Sequence, residues 1–159
     1  MDIITERLRL RPLEKGDIDS LSALTRDPEI MQFVGDGRPL GRRATGQWIA
    51  NAGAGLAENG LGSRAATLLT TGELIGWAGL IPGDPNIELI YGFARAFWGH
   101  GYATEAAEAV LRTRAGRAVD ATIDPENTPS LRILEKLGFE VVGTEPDEHG
   151  LPTLRLRLT

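Results

Sequence analysis

The sequence predicts an α+β fold of about seven strands and about four helices. Three observations carry that expectation. Both ends of the chain alternate polar and apolar residues with period two, at 7–11 and at 154–158. The middle, from 65 to 93, holds strand-like runs separated by turn residues. Helical and strand patterns alternate only after Phe93, whereas regular βαβ units would alternate throughout.

Taken in order, Arg7-Leu8-Arg9-Leu10-Arg11 reads as the first strand, and Pro12 ends it. Asp17 is a suitable N-cap for a helix in which Ile18, Leu21 and Leu24 recur at helical spacing. Asp27-Pro28 breaks that helix. Residues 29–34 read as a short second helical turn, and 35–39 as a loop. Trp48, Ile49, Ala52 and Leu56 make a helical stripe over 42–58, although Gly53 and Gly55 count against it. Asn59-Gly60 is a stop signal. Residues 65–69 and 74–80 form a hairpin about Thr71-Gly72. After the turn cluster Pro82-Gly83-Asp84-Pro85 comes the strand Ile87–Phe93.

Beyond a glycine-rich loop, Ala106, Ala107, Val110 and Leu111 give a short helix, and Val119–Ile123 the next strand. Thr128-Pro129 opens a helix, with proline suited to its first position. Leu131, Leu134 and Leu137 follow, and Gly138 stops it. Strands at 139–143 and 154–158 finish the chain. No repeat, linker or low-complexity segment interrupts it, so a single domain is expected over residues 1–159.

Composition narrows the functions. The formal charge is −5, which argues against a partner recognised through nucleic-acid phosphates. There is no cysteine, which excludes disulfides, a thiolate nucleophile and cysteine-based zinc sites. The N-terminus has no apolar leader, and no apolar run approaches membrane-spanning length. A cytoplasmic protein without a membrane partner is expected. His100 and His149 stand alone, without metal-ligand spacing, so no metal is expected.

The segment Trp98-Gly99-His100-Gly101-Tyr102-Ala103-Thr104-Glu105 holds the clearest functional signal. A strand passes through glycines directly into a helix. Gly99 and Gly101 let the backbone turn tightly and approach a ligand. The first helical turn leaves N–H groups unpaired, and with the helix dipole they form an anion site suited to a pyrophosphate. The competing reading is a plain strand-to-helix turn. The third glycine of a Rossmann fingerprint and the Gly-Lys-Ser/Thr of a Walker loop are both missing. Glu105 suits the dipole but would repel a phosphate, so it should point away. Elsewhere, Glu88 lies in an apolar strand and faces either a cleft or solvent. In a cleft, burial would raise its pKa and make it a better base. Tyr91 reads as a cleft-lining residue or an ordinary strand aromatic. Asn127 and Ser130 sit at a helix start, where such residues commonly cap. Arg9 and Arg11 read as a solvated face, and Trp48, Trp77 and Trp98 as core or pocket wall.

Five segments in sequence resemble the GNAT superfamily of N-acetyltransferases, in particular its RimJ/RimL-like branch. They are Thr5-Glu6-Arg7-Leu8-Arg9-Leu10-Arg11-Pro12-Leu13, Asp27-Pro28-Glu29-Ile30-Met31, Gly72-Glu73-Leu74-Ile75-Gly76-Trp77-Ala78-Gly79-Leu80, the segment from Trp98 to Glu105, and Asn127-Thr128-Pro129-Ser130 with Glu135-Lys136-Leu137-Gly138-Phe139. The resemblance implies a mixed, mostly antiparallel central sheet flanked by helices, in which Ile87–Phe93 and Val119–Ile123 splay to form a CoA cleft. It implies that backbone N–H groups of Gly99, His100, Gly101, Tyr102, Ala103 and Thr104 hold the CoA pyrophosphate. The main chain of Phe93, Ala94 and Arg95 would pair with the pantetheine arm, and Asn127 would bond near its amides. Glu88 stands where the family carries a glutamate base, and Ser130 would face the sulfur as proton donor. Leu134 occupies the position where many members place a tyrosine. Trp98 stands where the superfamily pattern has Gln or Arg. The connection between the helix at Ala106 and the strand at Val119 is shorter than in comparable members.

The function expected is transfer of an acetyl group from acetyl-CoA to a primary amine, on a protein N-terminus or a small molecule, by a monomer or homodimer. The alternatives are a CoA-binding sensor without turnover, in which Glu88 and Ser130 would be dispensable, and a nucleotide-binding protein using the same loop.

Overall fold

In a computed structural model that describes residues 1–32, 34 and 37–159, the chain forms one eight-stranded sheet with helices on both faces. The elements are β1 (Ile3–Ile4), β2 (Leu8–Pro12), α1 (Ile18–Thr25), α2 (Pro28–Met31), α3 (Arg42–Asn59), β3 (Gly62–Leu68), β4 (Leu74–Ile81), β5 (Ile87–Phe93), α4 (Tyr102–Leu111), β6 (Val119–Ile123), α5 (Thr128–Lys136), β7 (Glu140–Pro146) and β8 (Pro152–Leu158). Short 3-10 turns occupy Lys15–Asp17 and Arg95–Phe97. The strand order is β1-β2-β3-β4-β5-β6-β8-β7, and β5 with β6 is the parallel pair among antiparallel ones. The strand missing from the sequence reading is β1, whose two residues are too few to show a period.

The two cores follow from strand alternation. On one face α4 and α5 cover Leu8, Leu10, Leu89, Val119 and Leu156, with Val110 and Leu134 pointing down from the helices. On the other, α1 to α3 cover Ala65 and Trp77 with Leu21, Met31 and Ile49. Trp77 is fully buried and meets Trp48 edge-on at 5.0 Å between centroids. Gly92 lies under it: a Cβ there would stand 2.2 Å from the indole. Close approach also explains Gly55, which counted against a helix over 42–58. A Cβ there would stand 2.2 Å from the Leu61 carbonyl, so glycine lets the chain return against α3.

Three local expectations are corrected. Asp17 does not cap α1 with its side chain. Its carboxylate accepts from the Glu14 N–H and is bound by Arg11 at 2.7 and 2.8 Å. Arg11 is therefore a partly buried ion-pair partner and not a solvated residue, while Arg9, on the same face of the strand, is exposed. The second helical turn is Pro28–Met31, with Asp27 as its cap. The remainder of that turn and the loop over 35–39 fall partly on Phe33, Gly35 and Asp36, which lie outside the described residues. Among the described residues, no helix is long and apolar enough to cross a membrane.

Candidate active site

The site begins where β5 and β6 part. They pair at Ile87 with Val119 and at Glu88 with Asp120, and no further. β6 instead pairs with β8 along its whole length. Asp120 secures the closed end of this opening. Fully buried, it accepts from Asn86 at 3.1 Å, from Arg155 at 2.8 Å and from Arg157 at 2.7 and 3.1 Å. Arg157 foremost, with Asn86 and Arg155, outweighs the cost of burial and holds its carboxyl at about 2.

The open end exposes main chain. The Ala94 N–H is given to the Ile75 carbonyl of β4 at 2.8 Å. Successive residues of an antiparallel strand direct their N–H and C=O to opposite sides. Leu89, Tyr91 and Phe93 therefore direct theirs away from β4, into the gap. The Phe93 carbonyl accepts from the Trp98 indole at 2.7 Å. The Ala94 and Arg95 carbonyls are taken by the Phe97 and Trp98 N–H groups. The Arg95 side chain leaves the gap for Asp27 at 2.9 Å and Glu29 at 3.4 Å.

The loop after β5 turns through two glycines into α4. Gly99 and Gly101 both have left-handed φ, +77° and +82°. Gly101 is the N-cap residue of α4, and the Glu105 N–H makes the first helical bond to its carbonyl. The N–H groups of Tyr102, Ala103 and Thr104 precede that bond, so no helical carbonyl serves them. Glu105 is turned away from them. Its carboxylate is bound by the Thr5 hydroxyl at 2.6 Å, the Arg7 N–H at 2.9 Å and Arg7 Nε at 2.7 Å. Burial pushes this carboxyl up, but those three donors together hold it below its usual range. Arg7 also donates to the His100 carbonyl at 2.9 Å and lies over the Tyr102 ring at 4.0 Å. Two grooves, of about 570 and 380 Å³, flank α4 and share Thr104, Glu108, Arg112 and Lys136 as walls.

The two candidate catalytic residues occupy different faces. Glu88 is half-buried and shares its parity with Ile90, on the α1–α3 side. Burial pushes its carboxyl up; Arg155, 3.6 Å away, pulls it back, and Asp120 and Glu145 push it up again. Ser130 is buried on the α4–α5 side. Its N–H is given to Asn127 Oδ1 at 3.2 Å, so Asn127 does cap α5. Tyr91 completes this side: its hydroxyl stands 2.5 Å from Ser130 Oγ. Burial raises the phenol's pKa, partly offset by the bond to Ser130. Sequence reading undervalued Tyr91. The available signal was its position three residues after Glu88, hence on the opposite face of the strand. Leu134 is fully buried in the core and brings no polar group to the gap.

These features match a known family over most of the chain. The model of the acetyltransferase (GNAT) domain matches residues 7–140. The chain belongs to the GNAT acetyltransferase family. The uncharacterized Bacillus subtilis protein YkkB is 34% identical over 146 residues, covering 86% of this chain and 84% of that one. An acetyltransferase structure from Agrobacterium tumefaciens superposes with a TM-score of 0.86 at 27% identity, covering 100% of this chain and 94% of the other. The ribosomal L7/L12 α-N-protein acetyltransferase RimL, in complex with CoA, shares the fold at 14% identity and a TM-score of 0.82, over 99% and 97% of the two chains. The opening between β5 and β6 is thus the splay of a GNAT sheet.

Proposed function

We propose that residues 1–159 form one acetyltransferase domain that moves an acetyl group from acetyl-CoA to a primary amine by direct attack in a ternary complex. The acceptor is a protein N-terminus, as in the RimJ/RimL-like branch, or a small-molecule amine. The observation that carries this reading is the β5–β6 opening, two paired residues long and then free, leading at its end into the glycine loop before α4. An extended amide-bearing arm fits such a gap because the main chain of β5 offers it strand-like partners. The phosphates then fall at the main-chain N–H groups of Gly99 to Thr104, among which those of Tyr102, Ala103 and Thr104 have no helical carbonyl to serve them. CoA-bound RimL, which shares this fold, supports the same choice of cofactor.

In the reaction, the amine nitrogen attacks the thioester carbonyl carbon. The C–N bond forms, and the C–S bond breaks with its electron pair going to sulfur. Glu88, raised by burial, accepts the proton that the nitrogen loses, directly or through water. Ser130 donates a hydrogen bond to the departing sulfur. Asn127 holds the first turn of α5, and so the serine, in place. The protein works in the cytoplasm as a monomer or homodimer, with no metal, nucleic-acid or membrane partner. Substitution tests the assignment. Glu88→Gln should greatly reduce turnover with CoA affinity intact, and Ser130→Ala should slow single-turnover transfer. Unchanged rates in both variants would remove these two roles.

A further inference from the structure

Tyr91 and Ser130 meet from two elements that no local pattern links, one on β5 and one in the first turn of α5. The Ser130 N–H is already committed to Asn127. Its hydroxyl keeps one proton and two acceptor pairs, and the phenol likewise has one proton to give. In such a pair one hydroxyl donates and the other accepts. The donor's identity decides where the remaining proton is aimed. Tyr91 is mostly enclosed, and burial keeps its phenol protonated. A phenol ionises more readily than an aliphatic alcohol and is the better donor of the two. With Tyr91 donating, the serine oxygen accepts and its own proton is released for another partner. Chains of this kind strengthen their terminal bond.

We propose that Tyr91 is a positioning residue for acyl transfer: by donating to Ser130 Oγ it commits the serine's proton to the gap between β5 and β6, where it meets the sulfur of a CoA thioester. This rests on the CoA-dependent transfer proposed above. Burial of Leu134 in the core means that the phenol at this place comes from the strand and not from the middle of α5. The role requires no proton transfer from Tyr91, which orients the serine and remains neutral.

CoA itself is the probe, so the acceptor need not be known. The ultraviolet band of the thiolate is followed against pH for CoA bound to the wild type, Tyr91→Phe, Ser130→Ala and the double variant. Calorimetric titration of each protein with CoA, and its thermal melt, are recorded alongside. In the wild type the bound thiol should ionise about one unit below free CoA. Tyr91→Phe keeps the ring and should bind CoA with less than about threefold change, yet lose most of that lowering. Ser130→Ala should lose it too, and the double variant should match Ser130→Ala. A wild-type value in Tyr91→Phe beside a lost shift in Ser130→Ala would overturn the inference while leaving the functional reading intact. Additive losses in the double variant would also overturn it. A wild-type protein that gives no heat with CoA would overturn the functional reading itself.

Discussion

Arg7 Nε stands 2.7 Å from Glu105 Oε1, tying the residue before the second strand to the helix that follows the glycine loop. The same guanidinium holds the His100 carbonyl and covers Tyr102. One arginine thus braces the loop and draws an acidic side chain away from its N–H groups. Arg7→Met should weaken CoA binding by about tenfold, or about 1.4 kcal/mol. Arg9→Met removes an exposed residue whose ion pair with Asp2 is 3.7 Å long, and should leave the affinity unchanged. Calorimetric titration with CoA separates the two.

Gly101 tests the loop from within. A Cβ there would meet nothing nearer than Arg7 Nη2 at 3.5 Å, so space is not the obstacle. The φ of +82° is, because a left-handed conformation costs an L-residue about 1–2 kcal/mol. Gly101→Ala should therefore fold, melt a few degrees lower and bind CoA more weakly. Gly92→Ala should behave differently. Its Cβ falls within the Trp77 indole, and overpacking a core costs about 1–3 kcal/mol or more. Its melting temperature should fall further than that of Gly101→Ala.

Asp120 makes the fold acid-sensitive. Its carboxyl sits at about 2 in the folded chain against an ordinary 3.8. A depressed value contributes stability that is present above the unfolded pKa and is lost as pH falls through the folded one. The gap corresponds to about 2.5 kcal/mol at neutral pH, lost between about pH 4 and pH 2. Asp17 and Glu105 are shifted the same way and add to the trend. Melting curves from pH 7 to pH 2 should show Asp120→Asn well below the wild type at neutrality. The difference should narrow below pH 4.

Glu145 modulates the candidate base. It binds Arg155 at 2.6 Å and, with Asp120, disfavours the charged form of Glu88. Glu145→Gln removes one negative charge and leaves Arg155 freer to face Glu88. Both effects lower the Glu88 pKa. The acid limb of the kcat/KM profile, which should lie above the ordinary glutamate range in the wild type, should move to lower pH in the variant. No movement, or an upward one, would dissociate that limb from Glu88.

Much of this architecture was legible because local pattern and global position agree. The alternation of Arg7 to Arg11 gave the first long strand, and the mainly apolar run from Ile87 to Phe93, broken by Glu88, gave β5. Gly99 and Gly101 announced the turn into α4, since few other residues take that backbone conformation. What escaped is what depends on residues distant in sequence. Arg11 looked solvated because its partner Asp17 sits across a turn, and Asp17 looked like a cap for the same reason. Tyr91 looked ordinary because Ser130 is brought to it only by the crossover from β6 into α5. The two-residue limit of the β5–β6 pairing is a property of register, which no composition or period encodes.

The central claim is that the β5–β6 opening takes acetyl-CoA and passes its acetyl group to an amine. Thiol release from acetyl-CoA, measured with the purified protein against a panel of N-terminal peptides, polyamines and aromatic amines, tests it most directly. The account predicts release that requires both protein and amine, with an equal amount of acetylated amine found by mass spectrometry. Tight binding of acetyl-CoA with no amine-dependent thiol release across the panel would contradict it and favour a binding module without turnover.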